Sequence, residues 1–176
     1  STYITSYRMS YLDLLANVIN ASGGMPSYND FQAKLEFRPN IYNTFSILMV
    51  SGGSIYDRSI DGAIDVGETE YGKLKNDQNT IGVNYKHIWN NRAYTNTSIS
   101  NSTKNSDAHF LNISTEKTVF NIIENTNIKN LRQVNHLKLG PGFKMEFGFD
   151  VEVNETYYDY YRKLTKSKFF INEIVF

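Results

Sequence analysis

The side chains best suited to binding a metal ion are three histidines and one acidic set. The histidines are His87, His109 and His136, and no short spacing of the metal-binding kind joins any two of them. The acidic set is Asp57, Asp61, Asp65, Glu68 and Glu70. Carboxylates can bind Ca²⁺, but an Asp at every fourth position misses the alternate-position pattern of a Ca²⁺ loop. We therefore interpret the histidines as surface or interface residues and the acidic set as a solvated loop, and we predict no metal site.

Catalytic arrangements have no support in the sequence. Cysteine is absent, which excludes a thiolate nucleophile and a Cys-ligated zinc site. No Gly-x-Ser-x-Gly elbow occurs, so a Ser-His-Asp hydrolase is not indicated. The glycine-rich segment SGGS (51–54) lacks the Lys and the length of a phosphate loop. We predict that the chain is not an enzyme and carries no cofactor.

One aromatic cluster could contact a ligand. Its members, which flank Asp159, are Tyr157, Tyr158, Tyr160 and Tyr161. They follow the last clearly alternating segment, so we expect them in an outer loop. There the rings could stack on a sugar or a chelate, or pack against neighbouring loops, and the sequence leaves both interpretations open.

Composition limits the class of protein. Lys+Arg and Asp+Glu are equal at 18 each in 176 residues, so no overall field attracts nucleic acid. A hydrophobic content of 40% with 13 Tyr and 11 Phe excludes disorder and favours strands. No apolar run is long enough for a transmembrane helix. The first residues also lack an export signal, so we expect that any such signal was removed or lay further upstream.

The strongest pattern has a period of two. In FKMEFGFDVEVN (143–154), six apolar residues alternate without a fault with six polar or small ones. The segment DFQAKLEFR (30–38) alternates in the same way, with Phe and Leu on one face and charges on the other. Each is typical of a strand with one dry and one wet face. Weaker strand patterns cover 3–8, 43–50, 80–90, 93–103 and 126–139, and we predict seven or eight strands in one domain spanning 1–176.

The connections are predicted to alternate in length. Short turns rich in Pro, Gly and Asn occupy 38–43, 90–92 and 140–142. Long links are expected at roughly 9–27, 53–79, somewhere within 104–125, and from 155 onward. The first of these contains Ser10 and Asp13, which resemble a capping box, followed by apolar residues at helical spacing, so we predict a short helix there. Short turns at one end and long loops at the other are typical of bacterial outer-membrane barrels.

Aromatic residues lie where predicted strands meet the short turns. These residues are Phe37, Tyr42, Trp89, Tyr94 and Phe143. A girdle at a membrane interface requires this placement, because amphipathic rings settle at headgroup level. Aromatic residues that close the end of a soluble core would occupy the same positions.

Three segments resemble the barrel domain of TonB-dependent outer-membrane receptors. They are SYRMSYLDLL (6–15), PSYNDFQAKLEFRPN (26–40) and GPGFKMEFGFDVEVNETYY (140–158). In that family an aromatic–Asp–Leu–Leu element of an outer loop precedes a Tyr–Asp–Phe–Gln strand and a Pro–Asn periplasmic turn. The resemblance follows the order of most of residues 1–154. It implies an all-β antiparallel meander that forms part of a 22-stranded transmembrane barrel, with the plug domain and the remaining strands outside this sequence.

The resemblance also implies a function and partners. The whole protein would reside in the outer membrane of a Gram-negative bacterium and import an iron chelate, a vitamin or a glycan. Its partners would be outer-membrane lipid, its own plug domain, an inner-membrane energy-coupling protein and the small solute. The charged residues of the wet faces would point to plug or lumen, because the same charges on a lipid face would cost about 2–4 kcal/mol each for Lys or Arg. These residues are Lys34, Glu36, Arg38, Lys86, Lys144, Glu146, Asp150 and Glu152.

Two other functions fit the same patterns. A passive porin-like channel would share the barrel wall but have no plug domain. A soluble or surface-displayed β-protein for adhesion or binding would pack its dry faces on each other and dissolve without detergent.

Overall fold

The computed structural model describes residues 1–10, 24–162 and 165–175, with the backbone alone for Met25 and for 165–175. These residues form eight β-strands and one short helix, so the predicted all-β class is confirmed. The strands are β1 (Thr2–Met9), β2 (Met25–Phe37), β3 (Asn43–Arg58), β4 (Glu70–Asn90), β5 (Ala93–Asn112), β6 (Thr118–Gly140), β7 (Phe143–Arg162) and β8 (Thr165–Val175). The helix, α1, spans Ile60–Asp65 between β3 and β4.

All eight strands belong to one antiparallel sheet in which each strand pairs with its neighbour in sequence. This order is the predicted meander. Within the described residues, β1 and β8 each pair with a single strand, so they are the edges of an open sheet. The ladders are regular except for register shifts at Ile88/Asn90, Phe110/Leu111 and Lys138/Gly140.

The three predicted short turns are confirmed, and all lie at one end of the sheet, which we call the turn end. They leave residues 38–42, 91–92 and 141–142 outside the strands. In the first turn the Asn40 side-chain oxygen accepts hydrogen bonds from the backbone N–H groups of Tyr42 and Asn43 at 2.9 Å each. In the third, Pro141 precedes Gly142, whose φ of 79° favours glycine. Local turn chemistry therefore fixes the register of these hairpins.

Links do lie at the opposite end, which we call the link end, within the ranges predicted at 53–79 and 104–125, but they are shorter than expected, and the long link expected from 155 onward is wrong for 155–162. Strands β3 to β7 continue through most of these residues, so that 59–69 and 113–117 remain between strands and β7 continues to Arg162. The physical reason is that the alternation persists there with the apolar residues on the other face. If one face is assumed to be apolar along the whole strand, the part of the strand near the link end does not fit the pattern and resembles an irregular loop.

The connection between β3 and β4 contains α1 where an irregular loop was expected. The Ser59 hydroxyl caps the helix by accepting a hydrogen bond from the Gly62 N–H at 3.1 Å. Ala63 is fully buried where the helix contacts β4. The helix that the sequence predicts after Ser10 falls on residues outside the described part of the chain.

The sheet has two faces with different side chains. We call the side that carries Leu35, Ile47 and Val83 the front face, and the opposite side the back face. Within the described residues, Ala63 and Ala108 are the hydrophobic side chains that count as buried, and many large apolar side chains are exposed. In the same part of the chain, no helix is long and apolar enough to cross a membrane. The described sheet thus has no second layer to form a core of its own.

Candidate functional site

A row of aliphatic side chains crosses the front face of six neighbouring strands. Each member lies directly opposite the next in the strand register, and the members are Leu35, Ile47, Val83, Ile99, Leu131 and Val151. All six are exposed or half-buried, and Ile99 exposes 60% of its surface. A continuous exposed apolar row of this width indicates a surface that meets an apolar medium or a partner.

The rows on both sides of it on the front face extend this surface, by one row toward the link end and by several toward the turn end. They contribute mostly aromatic and aliphatic residues on β2, β3, β4 and β7, with polar interruptions on β5 and β6 at Thr97, Asn101, Lys129 and Gln133. We call the apolar residues together the apolar band: Leu35, Phe37, Phe45, Ile47, Met49, Ile81, Val83, Tyr85, Ile99, Leu131, Met145, Phe147, Phe149, Val151 and Val153. On β7 the apolar front positions run from Phe143 to Val153, about 33 Å along the strand. A strand tilt of about 40° would give a height of about 25 Å, that of an outer-membrane barrel belt.

Polar atoms at the turn end of the band are paired with one another. Trp89, which is 64% exposed, donates its indole N–H to the Thr95 hydroxyl at 2.9 Å. The Thr95 hydroxyl in turn donates to the Asn135 side-chain oxygen at 2.7 Å. The Tyr85 hydroxyl donates to the Asn43 side-chain oxygen at 2.7 Å. This combination of exposed rings and satisfied polar tips is typical of an interfacial aromatic belt.

One row bounds the apolar band on the side of the link end. Its members on β3 to β7 are all polar: Ser51, Asn79, Thr103, Asn127 and Glu155. Ser51 donates its hydroxyl to the Asn79 side-chain oxygen at 2.6 Å. Glu155 accepts from the Asn127 amide at 3.4 Å and lies 3.5 Å from the Lys129 ammonium. On β3, β4 and β7 the change from apolar to polar occurs at this row, and on β5 and β6 it occurs one row earlier, at Asn101 and Lys129.

Beyond this row the front face is charged. One register row contains Asp57, Lys73, His109, Asn121 and Tyr161. The row beside it contains, in order across β3 to β7, Ile55, Lys75, Asp107, Ile123 and Asp159. Lys73 lies 3.6 Å from Asp57, and Lys75 lies 2.9 Å from Asp77. The hydrogen bond and the charge of Asp77 raise the pKa of Lys75. Alternating charges of this kind need water beside them.

The back face shows the opposite change. At the link end it carries a row of apolar and aromatic residues, namely Tyr56, Leu74, Ala108, Ile122 and Tyr160. Ala108 is 3% exposed. Phe120 contacts two other rings, with centroids 6.1 Å from Phe110 and 5.9 Å from Tyr160. Each face therefore exchanges its polarity between the two halves of the sheet.

The predicted tyrosine cluster does not form one loop surface. All four tyrosines lie in β7, where successive side chains point to opposite faces. Tyr157 and Tyr161 share the front face with Asp159, while Tyr158 and Tyr160 lie stacked on the back face with centroids 6.1 Å apart. The placement of the cluster in an outer loop was wrong because the strand continues past residue 155.

The eight residues predicted to point to plug or lumen fall into three groups near the turn end and the middle of the sheet. Lys34 and Arg38 both lie near Glu36, with the Arg38–Glu36 pair at 2.6 Å. Asp150 lies 3.9 Å from Arg132 and accepts from the Asn130 amide at 2.7 Å, and Glu152 is opposite Asn130. The third group is Lys86, Lys144 and Glu146, which line one cavity. Arg38 lies in the turn after β2, and the register places Lys34, Glu36, Lys86, Glu146, Asp150 and Glu152 on the back face.

That cavity, which we call the turn-end cavity, has a volume of about 620 Å³. Sequence reasoning gave no role to two of its cations, Arg92 and Lys138, and it named Tyr94 only as an aromatic residue beside a turn and His136 only as a surface or interface residue. Lys138 lies opposite Lys144 only because of the register shift between Lys138 and Gly140. A regular hairpin with the two-residue turn 141–142 would pair Lys138 with Met145, so the sequence spacing gave no signal for this contact.

The acidic set does not form a loop site. Asp57 lies in β3 and Glu70 in β4, and Asp61 and Asp65 lie in α1. Glu68 pairs with Arg58 at 3.7 Å. In the described ranges, no three His, Asp or Glu side chains come together in a way that could hold a metal ion. His87, His109 and His136 instead lie in three different strands, each beside an Asn or a Glu side chain.

Comparison with known proteins adds no relationship. No protein-family model matches the chain, and no curated protein or solved structure is significantly similar to it.

Proposed function

We propose that this sheet is part of the wall of an outer-membrane β-barrel belonging to a receptor that imports a scarce solute. The observation that supports it is the exchange of polarity across the sheet. Near the turn end the front face is apolar and the back face polar, and beyond the row of Ser51 and Glu155 the two faces change roles.

A barrel wall explains the exchange physically. In the bilayer the outer surface must be apolar, and an interior that faces a plug or lumen is polar. Where the strands leave the bilayer, the outer surface meets water and becomes charged. The interior there can be apolar, since it packs on itself and on other parts of the protein. A soluble sandwich would instead keep one apolar face along the whole strand.

Burial supports the same proposal. Leaving the apolar band in water would forgo roughly 25 cal/mol for each Å² that a cover could bury. The described residues contain no layer that covers it. Lipid is a cover of matching height, because the band on β7 would be about 25 Å tall after tilting.

The receptor part of the proposal rests on the three segments that resemble TonB-dependent receptors. Lys34, Glu36, Arg132 and Asp150 on the back face would then meet the plug as mixed charges, and energy for transport would come from an inner-membrane partner. The solute would be an iron chelate, a vitamin or a glycan. A gene whose reading frame encodes a plug domain ahead of Ser1 is expected, and its absence would favour a passive channel.

A pair of tryptophan variants tests the membrane placement. In a Trp89→Phe background, Ile99→Trp places the indole on the front face and Ser98→Trp places it on the back face one residue away. The protein is reconstituted in vesicles whose lipids carry bromine at mid-chain. We expect strong quenching of the fluorescence of Trp at 99 and little at 98. Equal quenching at the two positions, or recovery of the protein in soluble form without detergent, would contradict the proposal.

A further inference from the structure

The turn-end cavity on the back face gathers cations that have no carboxylate partner. Nine lysine and arginine side chains in the described part of the chain lie beside a carboxylate. Six other lysine and arginine side chains of the described residues have no carboxylate beside them, namely Lys86, Arg92, Lys117, Lys138, Lys144 and Arg162. Four of these six line the same cavity: Lys86, Arg92, Lys138 and Lys144. The unpaired positive charge of the described sheet is therefore concentrated at one place.

Two of the four cations face each other directly. Lys138 and Lys144 are opposite residues of the β6–β7 hairpin, and both are exposed. Like charges in this position destabilise a sheet. The backbone N–H of Lys138 donates to the Arg92 carbonyl at 2.8 Å, which holds the neighbouring hairpin turn beside this pair. An anion between the side chains would remove the repulsion.

The other groups of the cavity are already engaged. The Lys86 ammonium lies 4.4 Å from the centroid of the Tyr94 ring, and the Tyr94 ring also stacks on His136 with centroids 4.3 Å apart. Glu146 is the one carboxylate among the lining residues, and it lies 3.1 Å from the His136 ring nitrogen. A ligand would therefore meet ammonium and guanidinium groups, since the Tyr94 ring is already in contact with Lys86 and His136.

We propose that the turn-end cavity binds a multiply charged oxyanion, a phosphoryl or polycarboxylate group. Lys138, Lys144 and Arg92 would contact its oxygens, and Lys86 would add a fourth positive charge. Four cations against one carboxylate match a ligand of two or more negative charges, and charge-assisted hydrogen bonds from ammonium and guanidinium groups are the strongest available to it. The site does not depend on the membrane placement of the sheet.

Calorimetric titration of the purified chain tests the site, in uncharged detergent if the chain requires it. Inorganic pyrophosphate and citrate are the two probes, at constant ionic strength set with sodium chloride. We expect saturable binding of at least one probe, which also shows whether phosphoryl or carboxylate groups are preferred. The double variant Lys138→Gln/Lys144→Gln should bind about tenfold more weakly or worse, because two charged hydrogen-bond donors are lost.

The matched control removes two paired cations far from the cavity, in Lys73→Gln/Lys104→Gln. It changes the net charge equally and should bind the probe as tightly as the unchanged chain.

Thermal unfolding gives a second measurement of the same binding. The probe should raise the Tm of the unchanged chain more than it raises that of the double variant at the same probe concentration. Without a probe, the Lys144→Gln variant should unfold at a slightly higher temperature than the unchanged chain, because the repulsion between Lys138 and Lys144 is removed. Absence of saturable binding, or equal weakening in both double variants, would overturn the proposal.

Discussion

The two halves of this sheet have the same strand geometry and opposite polarity. In the half near the turn end, Ile99 is largely exposed on the front face while Ser98 lies on the back. In the half near the link end, Asp107 lies on the front face of the same strand while Ala108 is buried on the back. Because β5 runs through both halves in one register with β4 up to Asn112, the backbone does not cause the difference. The side chains instead record what each face meets at each height.

The largest effect is expected from a charge in the middle of the apolar band. Val83→Arg should destabilise the protein folded in lipid by about 2–4 kcal/mol, since the guanidinium would face hydrocarbon. Denaturant titration in vesicles measures this free energy. The neighbouring variant Asn84→Arg places the same side chain on the back face and should change stability far less. Similar losses in both variants would remove the distinction between the faces in this half.

In the half near the link end, we expect the back face to be more sensitive to a polar substitution than the front face. Ile122 lies on the back face between Ala108 and Tyr160, whereas Ile123 lies on the front face between Asp107 and Asp159. Ile122→Asn should cost about 2 kcal/mol, because an apolar side chain that packs is replaced by a polar one. Ile123→Asn should cost much less by the same unfolding measurement. A larger loss at 123 than at 122 would show that the polarity exchange has no energetic meaning.

A smaller effect is expected where the turn end meets the band. Thr95→Val removes both hydrogen bonds of the Thr95 hydroxyl and should cost about 1 kcal/mol. Thr97 lies two residues nearer the centre of the band on the same face, so Thr97→Val should be neutral or slightly stabilising in lipid. Unfolding in vesicles measures both. If Thr97→Val were the more destabilising variant, the proposed height of the lipid boundary would be wrong.

The smallest effect concerns the charged front face beyond the band. Asp77→Asn should lower the pKa of Lys75 toward its ordinary value, because the hydrogen bond and charge of Asp77 are the main causes of the raised pKa. Asp107→Asn should lower it less. Because folding raises the pKa of Lys75, the pairing of its ammonium with Asp77 stabilises the folded protein at neutral pH. That contribution is lost as the pH rises through the pKa of Lys75. Side-chain NMR titration measures the shift, and an unchanged pKa in Asp77→Asn would contradict the pairing.

Much of the turn end could be predicted from the sequence. The alternation in 30–38 and 143–154 and the turns at 38–42 and 141–142 report local preferences, and local preferences decide hairpin register. The strand class, the meander and the sharing of a face by Lys34 and Glu36 follow from them.

The link end could not be predicted in the same way. Tyr56, Leu74 and Ala108 alternate correctly for strands, but in the phase opposite to that of the apolar band. A phase change is visible only when the strands are aligned, since no single strand shows at which height it occurs. The turn-end cavity was missed for a related reason, because Lys86, Arg92 and Lys138 come from three strands or turns and meet through pairing.

The nearest-neighbour order of the strands has a consequence for assembly. Each strand after β1 pairs with the strand before it in sequence, and the three turns at the turn end and the link at 113–117 each join paired strands through five residues or fewer. Closing such short loops costs little entropy, and proteins rich in local contacts fold fast for their size. The sheet can therefore grow one hairpin at a time in the order of synthesis, and each newly added strand exposes the edge on which the next one is built.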